Sequence, residues 1–256
     1  MKALKLASGH SMPLLGLGTW DLRGKECIAV VRKALDLGYR HIDTAYMYEN
    51  QQAIGRALRE SSVDRGEVFI TTKIWRDSLR RAQVLEQCDQ CLDMLDMECV
   101  DLLLIHWPSE SVPLEETLEA FNEISRQGKA RSIGVSNFSA AQVDQARQLS
   151  PAPVCVNQVR CHVGHNQEEL RRHCREKGVA ITAYCPLARG RAASDEVLHK
   201  IGKGRGKSAA QVALRWLVQK EVIAIPKARS EEHLRANLDV FSWELDPEEM
   251  AQVERL

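Results

Sequence analysis

An acid, a phenol, an amine and an imidazole are spaced along the chain so that each falls at or just past the end of a predicted β-strand. Arg40-His41-Ile42 reads as a short strand after a helix that stops at Gly38, and Asp43 stands at its end. Tyr48 lies in the loop beyond, before a helix expected over Glu49 to Glu60. Val68-Phe69-Ile70-Thr71-Thr72 ends in Lys73, and Val100-Asp101-Leu102-Leu103-Leu104-Ile105 ends in His106. A parallel barrel gathers the carboxyl ends of its strands at one face, which is where such barrels carry their chemistry.

A phenol in water ionises near ~10, too high for efficient acid–base work at neutrality. An ammonium beside it favours the phenolate, and a carboxylate next to that ammonium keeps it charged. Asp43, Lys73 and Tyr48 supply these parts, so the expectation is a phenol lowered from its ordinary value. His106 would hydrogen-bond a substrate oxygen and orient it. The set suits carbonyl reduction, with a hydride delivered to carbon and a proton from Tyr48 to oxygen. The hydride has to come from a cofactor. Taken singly, Asp43 with Lys73 reads better as a structural ion pair and His106 as a satisfied core histidine; four such groups at strand ends reverse that and favour chemistry. Two other readings stay open: a lyase forming a Schiff base on Lys73, and a nucleotide-binding sensor without turnover.

The chain resembles the aldo-keto reductases. The matching segments are Gly16-Leu17-Gly18-Thr19-Trp20, Asp43-Thr44-Ala45 with Tyr48, Thr72-Lys73, His106-Trp107-Pro108, Gly134-Val135-Ser136-Asn137-Phe138, Val156-Asn157-Gln158, Tyr184-Cys185-Pro186-Leu187 and Ile225-Pro226-Lys227. The resemblance implies catalytic roles for Asp43, Tyr48, Lys73 and His106, and a nicotinamide dinucleotide bound in extended form. Tyr184 matches the ring that stacks on the nicotinamide, and Ser136, Asn137 and Gln158 match the residues that hold its carboxamide. Cys185 and Leu187 follow Tyr184, with Cys185 in place of a common serine at a pyrophosphate contact. Lys227 and Ser230 match the adenosine-phosphate site, Arg229 adds a charge, and Asn237 matches an adenine contact. Ala228 replaces a usual serine and His233 a usual arginine, and a mostly neutral imidazole lacks the bidentate grip of a guanidinium. NADP(H) is therefore the expected cofactor, with NAD(H) as second candidate. Trp20, Met47, Trp75 and Trp107 are expected to line the substrate cleft. The spacing is nearest to bacterial diketogluconate-reductase-like members, which suggests small aldehydes, ketoaldehydes and ketones. Such proteins usually extend past the last helix into a loop over the substrate; with Leu256 following that helix closely, the expectation is a shortened loop, an open pocket and loose selectivity.

These residues need a scaffold. Leu4-Lys5-Leu6 and Ser11-Met12-Pro13 flank Ser8-Gly9-His10 as a hairpin. Strands are then predicted over Leu14 to Thr19, Arg40 to Ile42, Val68 to Lys73, Val100 to His106, Arg131 to Val135, Val154 to Gln158, Val179 to Tyr184 and Val222 to Pro226. Helices are predicted over Lys25 to Leu37, Arg80 to Leu95, Leu114 to Gln127, Gln167 to Lys177, Asp195 to Ile201 and Ala209 to Lys220. Further helices open at Ser139, Ser230 and Asp246, the first by a capping box and the last with Pro247 at its first position. Eight strands, most followed by a helix, with no Gly/Pro/Ser-rich linker, predict one (β/α)8 TIM barrel domain over 1–256 with an N-terminal β-hairpin. A doubly wound open sheet would place a phosphate-binding glycine loop after its first strand. Gly16-Leu17-Gly18 lacks the third glycine and the helix start of that fingerprint.

Composition narrows the partners. Thirty-five basic residues balance thirty-five acidic ones, so no charge excess favours nucleic acid or an anionic membrane. With no apolar run near ~20 residues and no signal-like start, a cytoplasmic, soluble monomer acting on a small-molecule carbonyl compound is expected. Gly202-Lys203-Gly204-Arg205-Gly206-Lys207-Ser208 imitates a P-loop, but that motif needs glycine where Ile201 stands, and Ser208 with Gln211 reads as a capping box in a helix–turn–helix connection. Cys88 and Cys91 lie in a helical pattern as small hydrophobes. Cys161-His162 with His165 lacks a fourth ligand, so no metal is expected.

Overall fold

Runs rich in Val, Ile and Leu alternate with amphipathic stretches, and in the computed structural model, which describes residues 2–256, that alternation curls into a closed barrel. A hairpin comes first: β1 (Ala3–Lys5) pairs antiparallel with β2 (Ser11–Pro13). It covers the amino-terminal end of the barrel, where Ser8 Oγ lies 2.7 Å from Ser132 Oγ and Met12 is fully buried. Eight parallel strands follow: β3 (Leu17–Gly18), β4 (His41–Asp43), β5 (Phe69–Ile74), β6 (Leu102–Ile105), β7 (Ile133–Ser136), β8 (Val154–Arg160), β9 (Ala180–Tyr184) and β10 (Ile223–Ala224). Each pairs with its neighbour in sequence. The ends join as well, since Leu15 bridges Ala224 and Gly18 N donates to Pro226 O at 3.1 Å. A Cβ on Gly18 would come 2.5 Å from Ile225 O, so only glycine lets the first and last barrel strands meet there.

The helices α1 (Gly24–Asp36), α2 (Gln51–Arg59), α3 (Arg81–Leu95), α4 (Leu114–Arg126), α5 (Ala140–Leu149), α6 (Glu168–Glu176), α7 (Glu196–Arg205), α8 (Ala209–Gln219), α9 (Glu231–Leu238) and α10 (Pro247–Glu254) accompany the strands. Helix α1 buries Cys27, Val30, Val31, Ala34 and Leu35, the i, i+3, i+4, i+7, i+8 stripe of a helix laid on a core. Capping boxes at Ser139, Ser208 and Asp246 are all present.

Three expectations need correction. The helix predicted from Glu49 starts at Gln51, because Tyr46–Tyr48 forms a 3₁₀ turn and Glu49 takes a left-handed φ of 54°. The first and last barrel strands are only two residues each, shorter than predicted. Helix α7 runs on through Gly202 and Gly204 to Arg205, so most of the P-loop imitation is helix.

Candidate active site

Side chains alternate along a strand, so His41 and Asp43 of β4 share a face, as do Thr71 and Lys73 of β5. Those faces meet inside the barrel as two polar layers. In the lower one, His41 Nε2 lies 3.2 Å from Thr71 Oγ1. In the upper, Lys73 Nζ donates to Asp43 Oδ1 at 2.6 Å. Both members of the upper pair are buried. The Lys73 ammonium also donates to Thr44 O at 2.7 Å and to the Tyr48 hydroxyl at 3.4 Å. All three of its N–H bonds are thereby engaged, and it has no free lone pair for the Schiff base of a lyase.

Tyr48 reaches the ammonium because the 3₁₀ turn after β4 folds its ring back over the strand end. The ring meets Trp20 edge-on at 5.0 Å and His106 at 5.8 Å, and Trp75 meets His106 at 5.0 Å. His106 follows β6 directly and is fixed by its backbone N–H, which donates to Ile74 O at 3.0 Å. The four residues predicted to carry the chemistry are thus brought together at the carboxyl ends of β4, β5 and β6.

The electrostatics depart from expectation at one point. Burial raises the Tyr48 phenol well above its ordinary value, and the charge of Asp43 adds to the rise. The predicted lowering by Lys73 is overturned, since loss of water around the phenolate outweighs one ammonium at 3.4 Å. Tyr48 is a protonated donor at neutral pH. Burial also pushes Asp43 up and Lys73 down, each towards its uncharged form, while their mutual attraction opposes both shifts. Further hydrogen bonds hold the charged pair: Gln158 Nε2 donates to Asp43 Oδ2 at 2.7 Å, and Thr44 O accepts from Lys73. Burial, with the Lys73 charge adding, lowers His106 to about 3, so its imidazole is neutral. Its buried Nδ1 has no hydrogen-bond partner among the described residues.

Beside this cluster, Ser136 ends β7, Asn137 follows it directly, and Gln158 lies in β8. Ser136 Oγ donates to Gln158 O at 2.8 Å, and Asn137 Nδ2 donates to His106 O at 3.0 Å. The Tyr184 hydroxyl donates to Asn137 Oδ1 at 2.9 Å, so the ring proposed to stack is tied to the amides proposed to bind. Asn137 and Cys185 both take left-handed φ values, 64° and 51°, which turn the backbone at the ends of β7 and β9. Leu187 lies partly buried two residues further on. Gln158 gives one N–H to Asp43, and its Oε1 takes no hydrogen bond among the described residues. One N–H and one carbonyl oxygen are left, the complement of a primary carboxamide, so the donor set fits a nicotinamide.

At the far end, Lys227 and Arg229 follow β10. Both reach back across the seam to Asp21, at 3.3 and 3.1 Å, and Arg229 Nε donates to Glu26 at 2.9 Å. Ser230 caps α9 by accepting from His233 N at 3.2 Å. Asn237 lies in α9, buried beside the Tyr39 hydroxyl. It shares with Leu234 the buried face of that helix.

Trp20 and Trp107 stand open to solvent, 51% and 39% exposed, while Trp75 and Met47 are half-buried. Sequence reasoning missed Asp21, Glu26 and the anchoring role of Asn50. Asn50 Nδ2 donates to Thr19 O and Leu22 O, at 2.9 and 3.2 Å, and its Oδ1 accepts from Thr44 at 2.7 Å, stitching the turn after β3 to the strand end that bears Asp43. No short-range signal marks the contacts from Asn50 to Thr19 and Leu22, or from Asp21 and Glu26 to the far end of the chain, since they join residues far apart in sequence. Among the described residues no group of three or more His, Cys, Asp or Glu could hold a metal ion, and no helix is long and apolar enough to cross a membrane. Cys88 and Cys91 are buried free thiols, raised by burial to about 12 and about 11.

Comparison with known proteins agrees with this geometry. The model of the Aldo/keto reductase family matches residues 14–256. The 9,11-endoperoxide prostaglandin H2 reductase of Trypanosoma cruzi is 38% identical over 249 residues, covering 96% of this chain and 88% of the relative. Glyoxal reductase of Bacillus subtilis is 37% identical over 254 residues, covering 99% and 92%. A solved structure provisionally assigned as a 2,5-diketo-D-gluconic acid reductase B superposes with a TM-score of 0.96 at 40% identity, covering 100% of this chain and 91% of that one. The barrel, the residues at its mouth and these matches give one conclusion: the chain belongs to the aldo/keto reductase family.

Proposed function

We propose that this chain, working as a single barrel domain and as a monomer, reduces small aldehydes, ketoaldehydes and ketones to alcohols with NADPH, and with NADH as a second donor. The observation that carries the reading is one ammonium, Lys73, bonded at once to a buried carboxylate and to the phenol of Tyr48. When bound, the reduced nicotinamide supplies the hydride. Gln158, Asn137 and Ser136 hold its carboxamide, and Tyr184 stacks on its ring. Neutral His106 orients the carbonyl oxygen by a hydrogen bond from its imidazole N–H. Tyr48 donates its proton to that oxygen as negative charge builds there. Burial disfavours the phenolate, and Lys73 opposes that penalty by placing its charge beside the oxygen that the departing proton leaves negative. Asp43 keeps that charge in place. Trp20, Met47, Trp75 and Trp107 surround the carbonyl carbon's substituents. The relatives that reduce glyoxal and a prostaglandin endoperoxide, by their names, support a broad range of oxygenated substrates.

The test is oxidation of NADPH and NADH followed by absorbance with glyoxal, methylglyoxal and a simple ketone, run beside Tyr48→Phe. Turnover that collapses in the variant while nucleotide binding persists supports the reading. Equal turnover in both proteins removes Tyr48 as the proton donor, and with it the mechanism.

A further inference from the structure

Two cations stand where the resemblance puts the adenosine phosphate, and both are already occupied. Asp21 Oδ2 accepts from Lys227 Nζ at 3.3 Å and from Arg229 Nη2 at 3.1 Å. The same guanidinium nitrogen donates to Asp21 O at 2.9 Å, so it grips the turn as well as the carboxylate. Arg229 Nε turns instead to Glu26 Oε1 at 2.9 Å. These contacts cross the barrel seam, from the turn between β3 and α1 and the first turn of α1 to the segment between β10 and α9. Two positive charges are matched by two negative ones, and the local sum is zero. The start of α9 adds little attraction for an anion. Ser230 Oγ accepts from His233 N at the cap and keeps its own O–H, while Glu231 in the first turn, paired with Lys33 at 3.0 Å, offsets the positive end of the helix.

We propose that Asp21, seconded by Glu26, is a counter-ion latch that sets cofactor preference. Its carboxylate holds the cationic donors that a 2′-phosphate would use. A dinucleotide bearing that phosphate has to displace it, while one with free ribose hydroxyls leaves it in place. This rests on the reading of Lys227 and Arg229 as the adenosine-phosphate site. A 2′-phosphate carries about −1.5 to −2 charges, more than the carboxylate it displaces, so NADPH still binds. It binds with an advantage over NADH reduced by the pairs that must first be broken. Asp21 also holds a left-handed φ of 65°, a conformation that asparagine shares with aspartate. Asp21→Asn therefore removes the charge and keeps the turn.

The experiment is calorimetric titration of adenosine 2′,5′-bisphosphate and of 5′-ADP into the wild type, Asp21→Asn and Glu26→Gln, at low ionic strength, where surface charge is least screened. In Asp21→Asn the bisphosphate is expected to tighten about tenfold and 5′-ADP to stay within about twofold; Glu26→Gln moves the bisphosphate in the same direction by about two- to threefold. A wild type that binds both fragments, with a ratio unmoved in both variants, overturns the latch and leaves the nucleotide site standing. A wild type that binds neither overturns the nucleotide site and the latch together. Equal tightening of both fragments also overturns the latch, since it makes Asp21 a general obstacle rather than a reader of the 2′ position.

Discussion

Gln158 Nε2 donates to Asp43 Oδ2 at 2.7 Å, on the oxygen opposite the one that takes Lys73 Nζ at 2.6 Å. The residue proposed to hold the nicotinamide amide and the residue that keeps the lysine charged therefore share one buried carboxylate. Gln158→Ala leaves Asp43 Oδ2 without its donor, and burial then pushes the carboxyl further towards its protonated form. Steady-state kinetics are expected to give a kcat lowered about tenfold together with a raised KM for the nucleotide. A change in KM alone would show that the two ends of the site act independently.

Tyr48→Phe removes a proton donor and little else, because the ring contacts with Trp20 and His106 survive. The expected loss in kcat is about 10²- to 10⁴-fold, the usual range for one general acid. Nucleotide affinity, measured by quenching of tryptophan fluorescence, is expected to stay within about twofold. A variant that keeps a tenth of its activity would pass the proton-donor role to another group.

Burial makes the Asp43 and Lys73 pair sensitive to losing either partner. Lys73→Met leaves a carboxylate at 1% exposure with no counter-charge and is expected to lower unfolding free energy by about 3–5 kcal/mol. Asp43→Asn strands the ammonium in the same way. The double variant, with no buried charge, is expected to recover much of that stability in urea unfolding while remaining inactive. Additive losses in the double variant would mean that the pair contributes through its separate contacts instead.

His41 and His106 are both lowered to about 3 by burial, with the charge of Lys73 adding to each. An unfolded chain takes up protons on these rings near the ordinary value of ~6.5, and the folded chain does not. The stability they contribute is complete above that value and is lost as the pH falls towards about 3. The urea midpoint is expected to drop between about pH 7 and about pH 5. A midpoint that holds steady would mean that both rings protonate freely in the fold. Tyr48 shifts the other way. With its phenol raised, reduction persists into the alkaline range, whereas alcohol oxidation, which needs the phenolate, rises with pH.

The four residues at the strand ends were legible because strand limits are written in short apolar runs, and β-structure then fixes which side chain faces inward. Asp43 and Lys73 follow from that pattern directly. The direction of the Tyr48 shift was not legible, since it depends on how completely the 3₁₀ turn shuts the ring away from water. The pairing of Asp21 with Lys227 and Arg229 joins segments more than 200 residues apart, with separations of 206 and 208, and arises only once the barrel closes.

That closing seam has a consequence for how the molecule is made. Backbone bonds from Gly16 to Ala224, from Ala224 to Leu14 and from Gly18 to Pro226 are among the last of the barrel's strand-to-strand bonds to be satisfiable during synthesis. Until Pro226 leaves the ribosome, the edge beginning at Leu14 hangs unpaired, a template for other nascent strands. Dependence on chaperones during translation should concentrate in that interval, and a ribosome stalled short of Ala224 should present an aggregation-prone sheet of β3 to β9 that has not closed.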